Sequence, residues 1–94
     1  MSDIEIVYLP ERSRYVIRVD GEDAGLTLAK EGEDGVLLFS HTEVDDKFEG
    51  QGLASRLVAG ALDDVRRRGR RIEVTCEYVT GFLEKHPEYQ DLVA

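Results

Sequence analysis

Glu49-Gly50-Gln51-Gly52-Leu53-Ala54-Ser55 runs without a break into Arg56-Leu57-Val58-Ala59-Gly60-Ala61-Leu62. Two glycines one residue apart, directly ahead of an apolar helical pattern, describe a tight turn that opens a helix. The first N–H groups of a helix have no intrahelical acceptor, and the helix dipole places partial positive charge among them. Such a turn makes an anion site from main chain alone, with Gly50, Gln51, Gly52, Leu53, Ala54 and Ser55 as its donors and Arg56 as the nearby cation. An ordinary strand-to-helix loop carries the same glycines, so the flanking sequence has to decide between the two.

Downstream, Leu53, Leu57, Val58, Ala61, Leu62 and Val65 fall on one helical stripe, while Arg56, Asp63, Asp64, Arg67 and Arg68 take the other side. Gly69 is placed to end that helix. Residues 71–76 then alternate, with Ile72, Val74 and Cys76 facing together as a strand. Upstream, Val36-Leu37-Leu38-Phe39-Ser40-His41-Thr42-Glu43-Val44 reads as a strand that turns from apolar to polar along its length. Strand, helix, strand implies a right-handed crossover with these two strands parallel. Earlier still, residues 4–9 align Ile4, Ile6 and Tyr8 and stop at Pro10. Residues 15–20 align Tyr15, Ile17 and Val19 and turn at Asp20-Gly21, and residues 24–30 form a third strand carrying Leu26 and Leu28 inward. A second helix is expected over residues 79–85, ended by His86-Pro87. The pattern predicts the α+β class: one domain over residues 1–94, a mixed five-stranded sheet of four antiparallel strands, a helix, a parallel strand and a second helix.

Composition narrows the function. A net charge of −8 argues against nucleic acid as a partner, because neutralising phosphates dominates such binding. The exception, Arg66-Arg67-Arg68 and Arg70-Arg71 around Gly69, reads first as a solvated helix end where cations complement the dipole, with contact to a phosphoprotein, a membrane or RNA as the alternative. No apolar run reaches membrane-spanning length, and the Met1-Ser2-Asp3-Ile4-Glu5 start is acidic where a signal peptide is basic. A cytoplasmic protein without membrane contact is expected, in which the single cysteine, Cys76, stays a thiol. With no long exposed apolar stripe, a monomer is expected.

On these residues the chain resembles the GNAT superfamily of N-acetyltransferases. Glu49-Gly50-Gln51-Gly52-Leu53-Ala54 is similar to its acyl-coenzyme A signature: Gln or Arg, two residues, Gly, one residue, then Gly or Ala. More closely, His41-Thr42-Glu43-Val44, the glycine turn, Cys76-Glu77-Tyr78-Val79 and Phe82-Leu83-Glu84-Lys85-His86-Pro87-Glu88-Tyr89 look like the very small single-domain GNAT-like proteins, a likeness covering residues 36–92. A Walker loop would need Lys and Ser or Thr after the last glycine, and a dinucleotide fingerprint would need a third glycine at Ser55. The resemblance implies a minimal GNAT-like fold that uses acetyl-coenzyme A as co-substrate and transfers its acetyl group to an amine: a protein lysine, an N-terminal amine or a small molecule. A coenzyme-binding sensor or partner subunit with little turnover is the alternative it leaves. It also implies that the fourth and fifth strands splay around the pantetheine arm. The backbone near Val44 would contact that arm, main-chain N–H groups there would serve the oxyanion, and Cys76 would lie near the thioester. Two departures stand out. Glu49 replaces the usual Gln or Arg, and Phe82 stands near where many members carry a tyrosine that protonates the leaving thiolate.

Acetyl transfer needs a neutral amine, stabilisation of the thioester oxygen and a proton for the departing thiolate. Cys76 is a candidate proton donor or covalent acetyl carrier, and otherwise a small buried hydrophobe. His41 and Glu43, two apart on one strand and so on one face, are candidate general bases, or else a structural histidine and a solvated glutamate. Tyr78 is a secondary proton donor; Tyr89 reads as packing, His86 as a helix stop and Lys85 as a surface lysine. The acidic surface favours a cationic acceptor through electrostatic steering.

Overall fold

In the computed structural model, which describes residues 3–94, period-two alternation builds β1 (Ile4–Leu9), β2 (Arg14–Val19), β3 (Glu22–Glu31) and β4 (Val36–Val44). β2, β3 and β4 each pair antiparallel with the strand before them. Pro10 ends β1 and opens a 3-10 turn, since proline has no N–H for a ladder. Asp20 and Gly21, at φ 50° and 83°, supply the left-handed pair that a two-residue hairpin requires. α1 (Leu53–Arg67) then carries the chain back, so that β5 (Arg71–Val74) pairs parallel with β4 in the order β1-β2-β3-β4-β5. α2 (Glu77–Lys85) and the 3-10 segment Pro87–Leu92 follow, and Val93 bridges back to Ile72. The expected α+β architecture is present. α2 begins at Glu77 rather than Val79, and the fifth strand ends at Val74 rather than Cys76, because Cys76 is the N-cap of α2. No helix among the described residues is long and apolar enough to cross a membrane.

The α1 stripe is fully used: Leu53, Leu57, Val58, Ala61, Leu62 and Val65 are buried against Tyr15, Ile17, Leu37, Phe39 and Ile72. A helix of 15 residues is marginal alone, so this burial, about 2 kcal/mol for each large apolar side chain, is what holds it. Gly69, at φ 67°, closes α1 with its own N–H on the Arg66 carbonyl and the Arg70 N–H on the Val65 carbonyl. Val79, Phe82 and Leu83 of α2 join the same core, so both helices cover one face of the sheet and leave the other face open.

The expectation for β3 is overturned. Leu26 and Leu28 are not inward; they pair with Val16 and Arg14 on the open face and are half-buried. The buried residues of β3 are Ala24, Thr27 and Ala29. α1 packs over both β2 and β3, and on β3 the side chains beneath it are small, whereas β2 contributes Tyr15 and Ile17. Two irregularities set this phase. Ala24 is an extra residue between the pairs Arg18 with Asp23 and Ile17 with Gly25. On β4, Ser40 and His41 together oppose Leu28, between the pairs Ala29 with Phe39 and Thr27 with Thr42. This second bulge flips the alternation: Leu37 and Phe39 point inward before it, Thr42 and Val44 after it, while His41 and Glu43 face out.

Candidate active site

β4 and β5 stay paired only as far as Phe39 and Val74. Beyond that point the Thr75 and Cys76 N–H groups both donate to the Phe39 carbonyl, at 3.0 and 3.2 Å, and residues 40–44 of β4 run on without a β5 neighbour. The parting is local and has a cause: the chain leaves β5 at Thr75 to begin α2. The carboxyl ends of two parallel strands and the amino end of α1 therefore meet at one end of the sheet, beside an opening where the β5-facing edge of β4 has no strand neighbour.

Cys76 stands at the base of this opening, 7% exposed. Its carbonyl accepts from the Thr80 N–H and hydroxyl, both at 3.0 Å, which locks the first turn of α2. Its Sγ lies 3.5 Å from Thr42 Oγ1, and Thr42 Oγ1 lies 2.9 Å from Thr27 Oγ1. Sequence reasoning passed over both threonines. No sequence signal marked them, because the large residues of β3, Leu26 and Leu28, put Thr27 on the outer face of the sequence pattern, whereas the structure buries it opposite Thr42.

His41 and Glu43 are brought together as their spacing requires, with Nε2 and Oε2 3.3 Å apart and both side chains more than half exposed. They lie on the open face, away from the Cys76 thiol. Glu43 also lines a cleft of about 460 Å³ there, together with Val16 and Leu26 and with Arg12, Arg14, Asp45 and Asp46. Gly25 makes this end of β4 close-packed: a Cβ on it would sit 2.8 Å from the Glu43 carbonyl oxygen.

From Val44 the chain turns through Asp45, whose side chain accepts from the Lys47 N–H at 3.0 Å, and through buried Phe48. Gly50 and Gly52 then take φ of 82° and 71°, with Gly52 as the α1 N-cap. No side chain caps this terminus; the first bond is Arg56 N–H to the Gly52 carbonyl, at 3.3 Å. Among the described residues, the N–H groups of Gly50, Gln51, Gly52, Leu53, Ala54 and Ser55 have no intramolecular acceptor. A Cβ on either glycine would meet nothing within 4 Å, so the turn is bare main chain facing open space. This is the chemistry a pyrophosphate fits. Glu49 and Arg56 are exposed at its edges, with no ion-pair partner among the described residues.

The remaining candidates are engaged elsewhere. Phe82 is buried and brings no hydroxyl, while Tyr78 is 42% exposed. His86 stacks on Phe82 with ring centroids 4.2 Å apart. Tyr89 donates to Asp63 at 2.7 Å, and burial together with that carboxylate pushes its hydroxyl up to about 12. The arginine cluster is consumed internally: Arg66 holds Asp91, Arg67 and Arg68 hold Asp64, and Arg70 holds the Gly35 carbonyl and Glu31.

A family described as GCN5-related N-acetyl-transferase matches residues 14–92. Protein NATD1 of Bos taurus is 31% identical over 85 residues, spanning 89% of this chain and 75% of the relative. A solution structure from Staphylococcus aureus, described as GCN5-like, superposes with a TM-score of 0.72 at 23% identity, over 100% of this chain and 91% of that one. An acetyltransferase of Bacillus subtilis in complex with CoA superposes with a TM-score of 0.64 at 15% identity, over 90% and 74%. At those identities the two structures speak for the fold.

Proposed function

The chain belongs to the GCN5-related N-acetyltransferase family, and from that membership we propose that it moves an acetyl group from acetyl-coenzyme A to an amine, using Cys76, His41 and Glu43. One observation carries the reading: β4 and β5 part at Phe39 with Cys76 at the base of the opening and an unsatisfied N–H turn at the same end. In this reading residues 50–55 hold the pyrophosphate through main-chain N–H groups, with Arg56 beside them. The backbone of residues 40–44, Val44 included, holds the pantetheine arm along the edge that has no β5 neighbour and offers N–H groups to the thioester oxygen. His41, paired with Glu43, takes the amine proton from the open face. Cys76 protonates the departing thiolate from the other side, the role that Phe82 cannot fill.

The acceptor suggested by the cleft beside Glu43 is a cationic amine on an apolar stem, such as a lysine side chain: Leu26 and Val16 would take the stem, and Glu43, Asp45 and Asp46 the charge. The chain is proposed to act as a monomer, without nucleic acid or membrane, in a compartment that keeps Cys76 reduced, such as the cytoplasm. A coenzyme-binding subunit with little turnover is the second reading, favoured by the carboxylate of Glu49 beside the phosphate turn. Titration with acetyl-coenzyme A, then a free-thiol release assay over amines and peptides, separates the two. Absence of binding at millimolar coenzyme would reject both. With binding intact, Cys76→Ala is expected to lower turnover about tenfold or more; turnover equal to that of the parent would remove Cys76 from the chemistry. The pH–rate profile of His41→Ala should lose its acid limb, and an unchanged limb would remove His41 as the base.

A further inference from the structure

Thr27 is fully buried, the one buried polar side chain among the described residues. Valine has nearly its shape and would fill the same space without a hydroxyl to satisfy. The hydroxyl has one side-chain partner, Thr42 Oγ1 at 2.9 Å. A buried O–H that donates to nothing costs about 1–3 kcal/mol, so Thr27 is the donor of this pair. Thr42 Oγ1 then already accepts, and its own hydrogen is left for its other partner, Cys76 Sγ at 3.5 Å. The hydrogens run one way, from Thr27 to Thr42 to the sulfur. In this arrangement the sulfur is an acceptor, and its own S–H is left free of Thr42.

We propose that Thr27 and Thr42 are positioning residues that hold Cys76 with its S–H aimed into the opening between β4 and β5 and its sulfur hydrogen-bonded as a thiolate forms. The proposal deepens the acetyl-transfer reading and, as a catalytic statement, rests on it. When the thioester C–S bond breaks, its electron pair stays on the coenzyme sulfur. Cys76 supplies the proton to that sulfur and is left as a thiolate, which the Thr42 hydroxyl stabilises. Solvent later returns one proton to Cys76, balancing the one the amine gives up. Reversed polarity would point the S–H at Thr42 and away from the substrate.

The test reads the thiol without any acetyl donor. Because the chain has a single cysteine, iodoacetamide alkylation at neutral pH followed by mass spectrometry reports Cys76 alone. Thr42→Val is expected to slow alkylation about fivefold and Thr27→Val about threefold, although Thr27 does not touch the sulfur, while Thr42→Ser keeps the parent rate. Loosening of the fold would have the opposite sign, exposing the buried thiol and speeding the reaction. Thr27→Ala and Thr27→Ser form a second pair that shares the lost methyl and differs in the hydroxyl, so the serine variant should alkylate at near the parent rate and alanine more slowly. Parent-like alkylation in Thr27→Val at an unchanged thermal midpoint, or equal rates for the alanine and serine variants, would overturn the relay. A parent protein that shows the alkylation pattern but transfers no acetyl group would remove the catalytic reading and leave the relay standing. In an active protein, Thr27→Val should lower kcat with the KM for coenzyme held.

Discussion

Asp64 sits at the rim of the α1 stripe and accepts the Tyr15 hydroxyl at 2.6 Å, with Arg68 at 2.6 Å and Arg67 at 3.0 Å on the same carboxylate. Burial alone would push this carboxyl up, but the hydrogen bonds from Tyr15 and the arginines outweigh it and hold Asp64 below the usual carboxylate range. Burial first, and then this same bond, push the Tyr15 hydroxyl well above the ordinary tyrosine range. A carboxyl whose folded pKa is lowered adds stability above its unfolded pKa, about 3.9, and that stability is lost as pH falls through the folded value. Asp64→Asn is therefore expected to cost about 1–2 kcal/mol at neutral pH, with the deficit shrinking below about pH 4. Urea unfolding at both pH values checks this, and an equal deficit at both would mean that the charge is irrelevant. Residue placement was legible where strand parity decides it: His41 and Glu43, two apart on one strand, share a face. Thr27 and Thr42 were not legible, because an inward strand face is read from its large apolar residues, and on β3 those are Leu26 and Leu28, which point outward.

Elements were easiest to read where the period is long. The α1 stripe, its Gly69 stop and the β4-α1-β5 crossover all follow from spacing, whereas the first turn of α2 was missed because Cys76, unlike Ser, Thr or Asp, does not mark an N-cap. The turn ahead of α1 makes its own prediction. With positive φ and open space at both glycines, alanine at Gly50 or Gly52 meets backbone strain rather than a clash, about 1–2 kcal/mol at each. Each variant should bind coenzyme more weakly than the parent in a calorimetric titration, with Gly21→Ala, equally strained but outside the turn, as the control that keeps affinity. At the other end of α1, Arg66 grips Asp91 at 2.8 and 2.9 Å and the Glu88 carbonyl at 2.8 Å. Arg66→Ala is expected to speed amide hydrogen exchange across Pro87–Leu92 while leaving β2 and β3 protected.

For the molecule as a whole, charge and shape impose opposite demands. A net charge of −8 repels an anionic coenzyme while it attracts a cationic acceptor, so added salt should act with opposite signs on the two substrates. Raising ionic strength is expected to tighten coenzyme binding and to lower kcat/KM for a lysine-rich peptide, while an uncharged amine shows only the first effect. Parallel salt trends for the charged and uncharged acceptors would dismiss steering. Topology at this scale was readable because each strand and turn carries its own signal; which face stays open was not, since that depends on both helices choosing the same side. The bulge at Ser40 and His41 gives the open face a meaning that single contacts do not. The sheet is a partition one strand thick, with an imidazole and a carboxylate on one side and a thiol on the other. In the proposed chemistry such a wall would insulate acid from base, because neither group could quench the other directly. The insulation depends on a count of one residue. Straightening the bulge with Ser40 still in the strand would place His41 two residues after Phe39 on the inward side, through the wall to the thiol. Deleting Ser40 would instead leave His41 directly after Phe39, opposite Leu28 on the open face, and keep the two groups apart.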